Sequence, residues 1–441
     1  MSGLWCASAW LDGQVVEGLH VGTADGLVTE LSRTRHPDDT DLAGLVLPGM
    51  ANAHSHAFHR GLRGRTHRRT GGDGGTFWTW RTAMYELAGT LDPDTYRDLA
   101  TAVFAELVAT GWTAVGEFHY LHHAPGGTPY PDHAMELALA DAAAAAGIRL
   151  TLLDTLYLRA GAGQPPLPEQ RRFSDGSARA WLERWHALRE VLPPEVTLGA
   201  AVHSVRAVGR GDLEEAVAGL PADVPLHAHV SEQPRENDEC RAEHGLTPVG
   251  LLHATGALGP RSSAVHATHL TDHDVELLGA TGTTAVFCPT TEADLGDGTG
   301  PARRLVDAGA HLALGTDQHA VVDPFLEARA LEHGARCASL RRGVFDPAEL
   351  LGALTADGHR SLGLAGGALA TGAPADLVAV DTASLRTAGS DPAQLVLTAT
   401  AADVTDVVVR GRHVVRDRVH TAVPEPGRAL AAALARTRRC P

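Results

Sequence analysis

At 441 residues, with 44% hydrophobic and 20% charged side chains, the chain has the composition of a soluble globular protein large enough for a barrel and a small companion domain. No apolar run approaches the roughly 18 residues of a membrane span, and a net charge of −16 argues against the basic surface that nucleic acid or an anionic membrane requires. All 37 basic residues are arginine, so a Schiff-base lysine, a pyridoxal phosphate anchor, a Walker A loop and a carbamylated lysine bridging two metals are excluded; a metal site must use His, Asp, Glu or Cys.

The N-terminal stretch "MSGLWCASAWLDGQ" shows neither a basic leader nor a cleavable apolar segment, which predicts a cytoplasmic protein. Its five cysteines (Cys6, Cys240, Cys288, Cys337 and Cys440) are odd in number and lack a C-x-x-C pair, as expected of reduced thiols. Residues 1–47 read as short strands, with Asp-Gly at 12–13 and 25–26 marking tight hairpins.

Over residues 48–365, strand-like apolar runs alternate with Ala- and Leu-rich helical stretches such as "DHAMELALADAAAAAG" and "DPAELLGALTADGHRSLG". The runs are "GLVLPGMANAH", "WTAVGEFHY", "RLTLLDTLYLR", "VTLGAAVHSVR", "PLHAHVSEQ", "SAVHATH", "TTAVFCPTTEA" and "HLALGTDQH". Eight such units predict an α/β fold, a (β/α)8 TIM-type barrel. Val-rich runs return in 366–425 ("ADLVAVD", "TDVVVRGRHVVRDR") and predict, with 1–47, a small β-sandwich-like domain built from both chain ends. Residues 426–441 read as an amphipathic helix and tail.

In nearly every run the apolar residues come first and a His, Asp, Glu or Arg follows, at the end where such barrels carry their active sites. His54 and His56 flank Ser55, and the strand period of two puts both imidazoles on one face. With 25 histidines in the chain, a His-x-His pair arises by chance roughly once or twice, so the remaining ligands must decide. His229 ends the fifth run, His266 the sixth and Asp317 the eighth. Imidazoles and one carboxylate around a divalent ion, with a position left for water, make a hydrolytic zinc-type site. Periodicity leaves His227 as an alternative to His229, and His269 competes with His266. Glu232, three residues past His229, stands where a general acid/base would reach the attacking water. Arg81 and Arg206 offer planar donor forks suited to carboxylates.

The strings "PGMANAHSHAF", "HAHVSEQ", "VHATHLT", "CPTTEADLGDG", "ALGTDQH" and "GAPADLVAVD" resemble the amidohydrolase superfamily over essentially the whole chain. "FWTWR" and "CPTTEADLGDG" narrow the likeness to the branch whose members deiminate formimidoylglutamate. The resemblance implies metal ligands at His54, His56, His229 and Asp317, and proton handling at Glu232 and His266, with Asp317 also taking the water proton. It implies substrate contacts at Arg81, Tyr120, His203 and Arg206. One position departs: His59 stands where the branch has glutamine in "HSHAFQR", which bears on recognition of the substrate headgroup.

The implied activity is hydrolysis of N-formimidoyl-L-glutamate to N-formyl-L-glutamate and ammonia, a step of histidine breakdown. It would use one divalent ion, Zn2+ or Fe2+, on a small anionic substrate, in a homodimer. The alternative is a guanine or triazine aminohydrolase, whose substrate needs no pair of arginines.

Overall fold

The computed structural model describes residues 2–66 and 77–437; Cys440 and the end of the tail lie outside them. Strands β1 (Ser2–Leu11), β2 (Gln14–Ala24) and β3 (Leu27–Ser32) form an antiparallel meander. Its two turns are Asp12-Gly13 and Asp25-Gly26, with φ of 50°, 80°, 52° and 80°. Positive φ at both central residues is the turn whose twist matches that of the strands it joins. β4 (Thr40–Pro48) returns parallel to β1 and leads, through Gly49 alone, into the barrel strand β5 (Met50–Ser55). A Cβ at Gly49 would stand 2.4 Å from Thr113 Oγ1 and 2.6 Å from Asp376 Cβ, so only glycine fits the crossing from one sheet to the other.

The barrel continues with β6 (Trp112–His119), β7 (Arg149–Leu156), β8 (Thr197–Val202), β9 (Leu226–Val230), β10 (Ser262–His266), β11 (Thr284–Phe287) and β12 (His311–Leu314). Each of the eight runs seen in the sequence supplies one strand, and neighbours pair in parallel from β5 to β12. The chain then adds β13 (Leu377–Val380), β14 (Val404–Val409), β15 (Arg412–Arg416) and β16 (Val419–His420) to the first sheet. That sheet is one continuous layer in the order β16-β15-β14-β13-β4-β1-β2-β3, joined where β13 pairs antiparallel with β4. Leu4, Cys6, Leu19, Val21, Leu377 and Val408 form its core.

Helices wrap the barrel. Pro93–Ala109 starts from a reciprocal Asp92–Thr95 capping box. The C-terminal helix Pro426–Thr437 buries Leu430 and Ala433, and Arg436 pairs with Asp98 of the helix Pro93–Ala109. The stretch 347–361 is two helices, Pro347–Leu354 and Ala356–Ser361, broken at Thr355 (φ −115°, ψ −93°). Among the described residues no helix is long and apolar enough to cross a membrane.

Closure of the barrel between β12 and β5 is made just past the strand ends. Thr316 and Asp317 donate their backbone N–H groups to the His54 carbonyl at 3.0 and 2.9 Å, and His56 N–H donates to the Asp317 carbonyl at 3.0 Å. The two chains meet this closely because residue 315 is glycine: a Cβ there would lie 2.8 Å from both the nitrogen and oxygen of His54. Gly315→Ala should therefore force the seam apart and destabilise the fold by about 1–3 kcal/mol. A matched fall in melting temperature and bound metal is expected, and an unchanged metal content would refute a link between the seam and the cluster it carries.

Candidate active site

The seam and the neighbouring strand ends bring His54, His56, His229 and Asp317 together in the barrel mouth. Nε2 of His229 lies 3.2 Å from Nε2 of His54 and 3.4 Å from Nε2 of His56. Asp317 Oδ1 is 3.5 Å from Nε2 of both His54 and His56. The donor atoms of His54, His56 and His229 lie within 4.8 Å of one another, as do those of His54, His266 and Asp317, close enough for side chains of this rim to share one divalent ion.

The hydrogen-bond partners of two imidazoles fix their tautomers. His56 Nδ1 faces the Phe118 carbonyl and His229 Nδ1 the His203 carbonyl, each at 2.8 Å. A carbonyl only accepts, so both Nδ1 atoms carry hydrogen and both Nε2 atoms present bare lone pairs to each other. Such a pair repels unless a cation lies between, so the residues present fit a bound divalent ion. Burial, reinforced by neighbouring histidines, holds His54, His56 and His229 well below the ordinary histidine value, in the neutral form that ligates metal.

Strained backbone marks the same rim. Ser231, His266 and Asp317 have φ of 51°, 71° and 43°, left-handed values that cost non-glycine residues about 1–3 kcal/mol each. At Asp317 the seam hydrogen bonds hold this conformation.

His266 faces three carboxylates: Nδ1 is 3.3 Å from Glu292, and Nε2 is 3.8 Å from Glu232 and 3.9 Å from Asp317. Burial lowers its pKa, but Glu232, Glu292 and Asp317 outweigh burial and raise it to about 10, making His266 a hydrogen-bond donor. Burial also lifts the Asp317 carboxyl, while His266 and His59 pull it back. Glu232 in turn lies 3.6 Å from Arg206 Nη2, and Glu236 lies 3.7 Å from Arg206 Nε. Burial works against the Arg206 charge, yet Glu236 and Glu232 raise its pKa. Its Nε has no hydrogen-bond partner among the described residues.

One cavity is lined by His56, His229, Glu232, His266 and Asp317 together with Arg81, Tyr120, His203, Arg206 and His59, while His54 lies fully buried beneath. His59 Nε2 hydrogen-bonds Tyr120 Oη at 2.9 Å, and burial pushes its pKa down to about 3. Neither alternative left by periodicity lines the cavity: His227 Nε2 donates to the Ser361 carbonyl, and His269 Nε2 is buried with no hydrogen-bond partner among the described residues.

Sequence reasoning missed Glu117, which takes hydrogen bonds from Ser55 Oγ and Ala57 N, each at 2.6 Å, and so clamps the turn carrying His56. It also missed Tyr157 and Arg159. The strand-end rule applied to "GEFHY" and "DTLYLR" marks Glu117 and Arg159, but not Tyr157, whose residue type it does not count. Tyr85, on the helix Phe77–Ala88, carries no such signal and reaches the cavity only through tertiary packing.

A barrel of this order with a His/Asp cluster at its C-terminal rim defines a metal-dependent hydrolase architecture, and the sequence model of the Amidohydrolase family matches residues 45–414. The chain belongs to that family. It is 38% identical to formimidoylglutamate deiminase of Pseudomonas aeruginosa, over 92% of this chain and 93% of that one. It is 30% identical to 8-oxoguanine deaminase of the same organism, over 91% and 87%. The crystal structure of an amidohydrolase from Brucella melitensis superposes with a TM-score of 0.92 at 32% identity, covering 99% of this chain and 100% of the other.

Each depressed histidine regains its ordinary value on unfolding, so below about pH 6.5 the unfolded chain binds more protons and stability falls with pH. His266 acts in the opposite sense: its contribution is present below about pH 6.5 and lost as pH rises through about 10. The melting temperature of the apoprotein should drop from pH 6.5 to 5, at up to about 1.4 kcal/mol per pH unit for each depressed histidine. A flat profile over that range would show that these histidines are not held neutral.

Proposed function

We propose that the protein hydrolyses N-formimidoyl-L-glutamate to N-formyl-L-glutamate and ammonia. The observation that carries this reading is the pair of arginines, Arg81 and Arg206, lining one cavity with the histidine–aspartate cluster. Two guanidinium forks match the two carboxylates of a glutamate derivative. The relative at 38% identity supports the same substrate.

His54, His56, His229 and Asp317 would hold one divalent ion, Zn2+ or Fe2+, which supplies hydroxide near neutral pH by lowering the pKa of water. Asp317 accepts the proton released as water attacks the amidine carbon. His266, held as a donor, stabilises the oxygen of the tetrahedral centre. The proton on Asp317 and, relayed by Glu232, the second proton of the attacking water pass to the nitrogen that departs, the C–N bond breaks, and ammonia leaves with the formyl group remaining on the glutamate nitrogen. Tyr120, His203 and His59 orient the headgroup. In this reading the enzyme works as a cytoplasmic homodimer in histidine breakdown.

A second reading, an aminohydrolase of a guanine or triazine ring, draws on the aromatic lining of Trp80, Tyr120, Tyr157 and Phe173 and on the 30% identical 8-oxoguanine deaminase. Ammonia release from formimidoylglutamate, formimidoylaspartate and guanine on metal-replete enzyme separates the two, with formimidoylglutamate expected fastest. Alanine at Arg81 or Arg206 should raise KM for formimidoylglutamate about tenfold or more. An unchanged kcat/KM in both variants would sink the assignment.

A further inference from the structure

Part of the cavity wall is a hydrogen-bonded chain that ends in two phenol hydroxyls. Gln170 is fully buried, and Leu167 N–H donates to its Oε1 at 2.8 Å, which fixes the direction of the carboxamide. Its Nε2 therefore donates to both Tyr85 Oη (2.8 Å) and Tyr157 Oη (2.7 Å). Arg81 Nε also donates to Tyr85 Oη, at 2.5 Å, and its guanidinium lies over the same ring, 5.2 Å from the centroid.

A phenol oxygen accepts at its lone pairs and has one proton to give. Tyr85 already accepts two hydrogen bonds and Tyr157 one, and the two phenols also hydrogen-bond each other. With one phenol donating to the other, the pair has one O–H left over. Both rings line the cavity. Burial drives the Tyr157 phenol far above its ordinary value, so it stays protonated as a donor.

Two carboxylates enter in the reading above, on which this inference rests. Arg206 lies 3.6 Å from Glu232, so the α-carboxylate, whose carbon bears the reacting amidine, falls to Arg206. Arg81, Tyr85 and Ala160 line both the cavity and the adjoining surface cleft, which puts them farther out.

We propose that Tyr85 and Tyr157 are specificity-determining residues: the O–H their pair has left over donates to the side-chain carboxylate of the substrate and completes, with Arg81, the site for the end of the molecule far from the amidine. Gln170 acts through them, as a positioning residue.

The test compares N-formimidoyl-L-glutamate with N-formimidoyl-L-norvaline, which has a methyl group in place of that carboxylate. In Tyr85→Phe and in Tyr157→Phe the ratio of kcat/KM for the two compounds should fall about tenfold, through KM for the glutamate compound. A role in packing alone would lower both values together and leave the ratio at its wild-type level, which would overturn the proposal. Wild-type enzyme inert toward formimidoylglutamate would overturn the underlying reading and this one with it. Active wild type with an unaltered ratio in both variants would overturn this one alone.

Discussion

Closing the barrel is the constraint on which the rest depends. The hydrogen bonds that join the last strand to the first are made by the backbone of His54, His56 and Asp317, residues whose side chains form the cluster. Sheet closure and assembly of the cluster are therefore one event: neither histidine can move without loosening the seam, and the seam exists only because Gly315 leaves room for the His54 backbone. The left-handed conformation of Asp317 is held by these same bonds rather than by its own preference.

Around this seam, burial and pairing divide the titratable groups. Imidazoles buried beside one another become neutral donors of lone pairs, whereas His266, set among Glu232, Glu292 and Asp317, keeps its proton. One residue type serves opposite purposes a few ångströms apart, because the sign of the neighbouring charge differs. Arg206 extends the pattern by facing Glu232 and Glu236, so the Glu232 carboxylate and the guanidinium beside it are electrostatically linked.

The cavity wall explains how a common family scaffold can be made selective. Its cluster of histidines and aspartate carries no information about the organic substrate, which has to be read by the surrounding side chains. Those come from different elements: Arg81 and Tyr85 from one helix, Tyr120 and Tyr157 from beyond two strands, Gln170 from a short 3-10 turn. Where the branch resembled in the sequence has glutamine, His59 is neutral and bonded to Tyr120, so a hydrogen-bonding ring still lines the cavity at that position.

Much of the architecture was legible in one dimension because its signals are local. Apolar runs of strand length, helical stretches between them, Asp-Gly turns and polar residues at the run ends are all properties of a few consecutive residues. The His-x-His pair could be placed on one face by periodicity, but His227 and His229 share a face, and only the fold separates them: one lies against the Ser361 carbonyl, the other against His54 and His56. Glu117 was within reach of the strand-end rule, while Tyr85 was not, since a helix position gives no hint of which cavity it borders. By itself, then, the sequence determined the alternation of elements, the absence of lysine chemistry and the rim on which polar groups gather, because these follow from neighbours along the chain. Tertiary structure alone decided which imidazoles meet, which of them stay neutral and which hydroxyls face the cavity, because distance and burial between remote segments exist only once the barrel has closed.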